Sequence, residues 1–162
     1  MTKNKPMKKI LLILGLVIAT VFNVQAQEIN AVPYSPDIKK LPDGWHKFTL
    51  QGASFDVEVT SGHLVKGNVI WFDGSTYSGN LTGSVISGRG TYTWPDGTRY
   101  EGSFKNNQRH GKGSMILVDK SKWSGKWKKN KKNGKGKQFD TSGEIVQQGV
   151  WAENEFVGAK KK

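Results

Sequence analysis

With 162 residues the chain has room for one domain of ordinary size, and with no cysteine it has no disulfides, thiolate nucleophile or cysteine metal site. Net charge is +12, unevenly spread: residues 27–99 hold 6 basic and 7 acidic side chains, whereas residues 100–137 hold 12 basic against Glu101 and Asp119. A balance that lopsided bears on partners and excludes nothing about fold.

Lys3, Lys5, Lys8 and Lys9 precede an apolar run over residues 10–22, and Val24-Gln25-Ala26 follows. A positive start, a short apolar stretch and a small-residue site describe a secretory signal, so residues 1–26 are read as a signal-peptide helix cleaved before Gln27. The run is 13 residues, short of the roughly 20 that span a membrane. Cleavage makes the product exported: periplasmic, on the outer surface or secreted. Residues 27–42 contain Pro33, Pro36 and Pro42, which disfavour regular pairing, and are read as a linker tethering signal to domain.

From residue 43 onward short β-like runs alternate with turn residues. Residues 43–68, opening on Pro42-Asp43-Gly44-Trp45, form a hairpin cap or a degenerate repeat. Residues 69–158 repeat themselves. Tyr77-Ser78-Gly79-Asn80-Leu81 returns as Tyr100-Glu101-Gly102-Ser103-Phe104 and as Trp123-Ser124-Gly125-Lys126-Trp127, in steps of 23. Gly67, Gly90, Gly113 and Gly136 keep the same beat, and Asp73-Gly74, Asp96-Gly97 and Asp119-Lys120 mark turns. A fourth copy, Gln147-Gln148-Gly149-Val150-Trp151, comes after 24 residues and lacks its first aromatic. Residues 159–162 are a basic tail. On a strand, Tyr100, Gly102 and Phe104 share one face, as do Trp123, Gly125 and Trp127. Two rings around a bare position leave a slot for a neighbouring repeat's side chain. A lone hairpin is marginal in water, so stacked copies supply one another's core. The reading is all-β: an elongated antiparallel meander of tandem β-hairpins.

Tyr100-Glu101-Gly102-Ser103-Phe104 followed by His110-Gly111-Lys112-Gly113 closely resembles the MORN repeat: Tyr-x-Gly-x-aromatic, a polar stretch, His-Gly-x-Gly and Asp-Gly. The resemblance runs from about residue 69 to 158. Leu81 stands where an aromatic is usual, Ser87 and Asn133 replace the histidine, and Asp119-Lys120 lacks the turn glycine. It implies a single-layer twisted sheet used for protein or lipid contact, with His110 as the family's turn histidine bonded to backbone. The repeat core is then Tyr77, Gly79, Leu81, Tyr100, Gly102, Phe104, Trp123, Gly125, Trp127, Gly149 and Trp151.

No catalytic constellation stands out. His46, His63 and His110 have no partner at metal-ligand spacing. Asp73, Asp96 and Asp119 sit where an Asp caps its own turn. Asp56 and Glu58 share a strand face, more often a solvated face than a glycosidase pair. Gly88-Arg89-Gly90 and Gly134-Lys135-Gly136-Lys137 lack P-loop spacing. No catalytic, cofactor or metal residue is assigned, and no cofactor is expected. Residues 120–137 hold nine lysines, Lys120, Lys122, Lys126, Lys128, Lys129, Lys131, Lys132, Lys135 and Lys137, with Trp123 and Trp127 among them and no acid. They read evenly as contacts for an anionic partner or as solubilising charge on repeat edges. The expectation is a non-catalytic exported scaffold binding a protein, a membrane or an anionic envelope surface. The alternative is an envelope-polymer hydrolase or glycan-binding protein with a site on the sheet face. Nucleic acid ranks last, and the sequence leaves the oligomeric state open.

Overall fold

The computed structural model describes residues 28–159. The expected signal helix over residues 1–26 and most of the basic tail lie outside the described residues. Period-two alternation dictates strands. In Ala53–Thr60, for example, Ala53, Phe55, Val57 and Val59 are buried while Ser54, Asp56 and Glu58 are not. Eleven strands result: β1 (Gly44–Leu50), β2 (Ala53–Thr60), β3 (His63–Trp71), β4 (Thr76–Leu81), β5 (Ile86–Thr93) and β6 (Arg99–Lys105). β7 (Gln108–Ile116), β8 (Lys122–Lys128), β9 (Lys131–Phe139), β10 (Ile145–Ala152) and β11 (Glu155–Gly158) follow. Each pairs antiparallel with the next, giving one sheet in sequence order and the expected meander. The boundary drawn between residues 68 and 69 falls inside β3. Among the described residues no helix is long and apolar enough to cross a membrane.

The two sheet edges use different turns. On one edge the paired turn residues Asn106-Asn107, Lys129-Asn130 and Glu153-Asn154 all have positive φ, the geometry that suits the twist of a tight hairpin. The second residue is Asn each time, and its side chain does more than tolerate the backbone. Asn107 Oδ1 accepts from Ile86 N at 2.7 Å, Asn130 Oδ1 from Arg109 N at 2.8 Å, and Asn154 Oδ1 from Lys132 N at 2.8 Å. Each Asn thereby staples its hairpin to the preceding repeat. On the other edge Asp73, Asp96, Asp119 and Asp140 accept the backbone N–H two residues on, at 2.8 to 2.9 Å.

A ladder of glycines crosses the sheet. Gly67, Gly79, Gly90, Gly102, Gly113, Gly125, Gly136 and Gly149 are paired in turn from β3 to β10. The rings explain why. Tyr77 lies across Gly79 and Gly90, where a Cβ on Gly90 would come 2.5 Å from the phenol oxygen. Tyr100 lies across Gly102 and Gly113 in the same way, and Trp123 across Gly125 and Gly136. The slot over each glycine is therefore filled by the first ring of the same repeat, not by a neighbour's side chain as the spacing suggested. The ring is long enough to lie back along its own strand, and Tyr77 Oη donates to Asn80 O at 2.6 Å, as Tyr100 Oη does to Ser103 O at 2.9 Å. Repeats then meet ring to ring. Tyr77–Phe104, Tyr100–Trp127 and Trp123–Trp151 pack edge-on with centroids 5.6, 5.4 and 5.4 Å apart, each worth about 1 kcal/mol beyond burial. In the fourth copy Phe156 of β11 reaches over Gly149, replacing the missing aromatic.

The Pro-containing segment is not a free tether. Residues 28–41 lie on the ring face as a strap. Val32 and Ile38, the latter in a 3-10 turn (Pro36–Lys40), are buried in the core. Trp71 Nε1 donates to Ala31 O at 3.0 Å, Trp94 Nε1 donates to Glu28 O at 2.9 Å, and Asn30 N donates to Tyr92 Oη at 3.1 Å. Proline removes ladder donors but leaves carbonyls, and carbonyls are what indole N–H groups seek when buried.

Candidate functional site: the basic row of the open face

The strap and the packed rings close one face of the sheet, so the other carries the site. Along each strand the neighbours of a ladder glycine point to that open face. They form two rows. One holds Lys66, Arg89, Lys112 and Lys135, on β3, β5, β7 and β9, spaced 23 apart like the glycines they precede. Lys126 of β8 joins this row, directly opposite Lys112. The second row is Thr91, Glu101, Ser114, Ser124 and Lys137, each opposite the next across the sheet. Ser114 Oγ donates to Ser124 Oγ at 2.9 Å within it.

Between the rows runs a trough of about 740 Å³, floored by the bare backbone of Gly90, Gly102, Gly113 and Gly125. A second hollow of about 540 Å³ continues it past Lys135 and Lys137 to Gln148. Glu101 is held by Arg99 at 2.9 Å and Lys66 by Glu58 at 2.9 Å. Arg89, Lys112, Lys126, Lys135 and Lys137 take part in none of the ion pairs among the described residues.

The nine lysines singled out in residues 120–137 do not form one patch. Lys126 and Lys135 line the trough, and Lys137 the hollow that continues it. Lys122 is on the same face but folds over Phe139, 4.4 Å from the ring centre. Lys128 and Lys131 face each other at the hairpin end, with Lys131 bonded to Glu153 at 2.5 Å. Lys120 and Lys129 are turn residues with positive φ. Lys132 is buried on the ring face, 5.4 Å from the centre of Trp123. It therefore cannot serve a partner on the open face.

Arg109 shares that buried slot one repeat earlier, its guanidinium 4.9 Å from Trp127 and 5.5 Å from Trp94. Nη2 donates to Asn130 O at 3.1 Å, while Nε and Nη1 have no partner. Burial pushes the Arg109 pKa down to about 10 and lowers that of Lys132 too, where the charge of Arg109 adds to the effect. Arg109 remains a cation at neutral pH, and for both side chains ring faces stand in place of counter-ions.

The acids are occupied in other ways. Asp56 faces Lys47 at 3.4 Å, and Glu58 pairs with Lys66. Asp73, Asp119 and Asp140 have carboxyl pKa values below the usual range, through hydrogen bonds from Asn30, Ser121 and Ser142 respectively. Among the described residues no three His, Cys, Asp or Glu side chains gather as a metal site. His110 is half-buried in β7, and its ring makes none of the hydrogen bonds among the described residues, so the expected backbone bond is absent. His46 Nε2 instead meets Pro42 O at 2.8 Å. Reading the lysine run alone misses Arg89 and Lys112. The signal for both is in the sequence, as the residue between the glycines of each Gly-x-Gly.

The MORN repeat family matches the chain three times in succession, over residues 77–99, 100–122 and 123–144. No curated protein matches it. The matched units begin at Tyr77, Tyr100 and Trp123, the three rings that lie over the glycine ladder. Repeats of this kind are associated with protein or membrane binding. Residues 77–144 of this chain are three tandem MORN repeats.

Proposed function

We propose that the protein is an exported, non-catalytic scaffold that holds an anionic partner of the cell envelope on the open face of its repeat sheet. One observation carries this reading. Five cations that take part in none of the ion pairs among the described residues line the trough and the hollow that continues it, while the opposite face is closed by the strap over Trp71 and Trp94 and by the packed rings beyond. Each such cation contributes on the order of 1 kcal/mol toward an anionic surface. The attraction weakens as salt shortens the screening length. A hydrolase on this sheet needs two acids free to converge on a bond, whereas Asp56 and Glu58 are tied to lysines and the repeated Asp residues cap turns. Export rests on the residues 1–26 pattern.

The test is co-sedimentation of the protein with an envelope fraction at low and high salt. Retention at low salt should be lost at high salt and after Lys112→Glu with Lys126→Glu. Retention indifferent to both would overturn the reading.

A further inference from the structure

The basic row is a periodic device, and its period says what kind of anion it fits. Because Lys66, Arg89, Lys112 and Lys135 come from alternate strands, successive cations are about 9.5 Å apart along the sheet, twice the strand spacing. Asn80 and Ser103 stand on two of the strands between, and Lys126 of β8 adds a further cation between Lys112 and Lys135. The row runs perpendicular to the strands, beside a floor of glycine backbone and opposite the hydroxyls of Thr91, Ser114 and Ser124. No apolar side chain lines the trough between Arg89 and Lys135, so nothing there inserts into hydrocarbon. Exposed apolar side chains lie outside it: Phe72 and Val118 in turns, and Ile70, Ile145 and Val146 in β3 and β10, while Phe139 lines the hollow beyond Lys135 and not the trough.

We infer that the trough binds a linear acidic polysaccharide, laid across the strands with its carboxylates on Arg89, Lys112 and Lys135. This rests on the anionic-partner reading above and narrows it to one polymer. Each sugar of an extended β-linked chain advances by close to one strand spacing. A polymer with a carboxylate on every second sugar therefore meets a cation at every second strand, and its hydroxyls reach the Thr/Ser row. Lysine as a point charge and arginine as a planar fork each engage one carboxylate, so affinity accrues with length as each added disaccharide reaches the next cation. From β5 to β9 the row spans about 19 Å, which a tetrasaccharide begins to fill and a hexasaccharide covers.

The experiment uses hyaluronan oligosaccharides, which carry one carboxylate per disaccharide, and the protein expressed as the full chain and purified as the cell processes it. Binding is measured calorimetrically at low salt. Affinity should rise from di- to hexasaccharide and then level off. Arg89→Gln, Lys112→Gln and Lys135→Gln should each weaken hexasaccharide binding roughly fivefold. Lys128→Gln and Lys129→Gln, in the hairpin end, should leave it unchanged. Phosphatidylglycerol vesicles and polyglutamate serve as competing anions. If either binds and the oligosaccharides do not, the polysaccharide inference is overturned while the anionic-partner reading stands. If none binds, both fall. Binding that ignores oligosaccharide length, or falls equally with the hairpin-end substitutions, overturns the periodic row.

Discussion

Lys120 occupies, with φ of 72°, the turn position that Gly74, Gly97 and Gly143 occupy with φ of 87 to 91°. A side chain in that conformation costs roughly 1 kcal/mol that glycine avoids. Lys120→Gly should therefore raise stability by about 1 kcal/mol in a denaturant titration, although it removes a charge from a very basic region. No change or a loss would show that Lys120 is held there by something other than turn geometry. The buried tyrosines make a pH prediction. Burial raises the pKa of Tyr77 and Tyr100 above the ordinary value of 10.0. Above pH 10 the unfolded chain releases these protons while the folded chain keeps them, so stability present below pH 10 is lost as pH rises, by about 1.4 kcal/mol per pH unit for each group. Arg109 works in the opposite sense. Its folded pKa of about 10 lies below its ordinary 12.5, so the cost of its buried charge is relieved over that interval. Burial also raises the pKa of Tyr92 and lowers that of Lys132, so three phenols act against two cations. Thermal melts from pH 8 to 12 should fall above pH 10, and Tyr100→Phe should flatten the decline.

The hairpins are joined to one another by the Asn staples as well as by the strand ladder. Asn130→Ala leaves the buried N–H of Arg109 without its acceptor and places alanine at a φ of 67°. The cost should be about 2 kcal/mol, read as a lower denaturation midpoint. Asn106→Ala, whose side chain staples nothing, should cost less. At this scale much was legible in advance. The steps of 23, the Asp turns and the shared face of Tyr100, Gly102 and Phe104 specify hairpins and their register. Two features were not. Strand alternation tells which face a side chain takes and not how far it lies back along its own strand, so it leaves a neighbour's side chain as the expected occupant of the slot over each glycine. Pro33, Pro36 and Pro42 exclude ladder pairing and so suggest a tether over residues 27–42, whereas the carbonyls that hold Trp71 and Trp94 leave no trace in residue type.

Across the whole molecule, one face is closed by rings and strap and the other is open, charged and floored by glycine. The sequence displays the charge but conceals its division between faces. A run of nine lysines looks uniform, and only the 23-residue series Ile86, Arg109 and Lys132 marks Lys132 as an inward position. The same series logic finds Arg89 and Lys112, which the density of lysines near residue 130 overshadowed. Adjacent residues therefore give the sharpest test of two-sidedness. Lys131 is exposed at the hairpin end, and Lys132 is buried against Trp123. Amine-reactive labelling of the folded protein, followed by peptide mass spectrometry, should modify Lys126, Lys131 and Lys135 readily and Lys132 far more slowly. Denaturation should abolish the difference. Equal labelling of Lys131 and Lys132 in the folded protein would contradict a sheet with one closed and one open face.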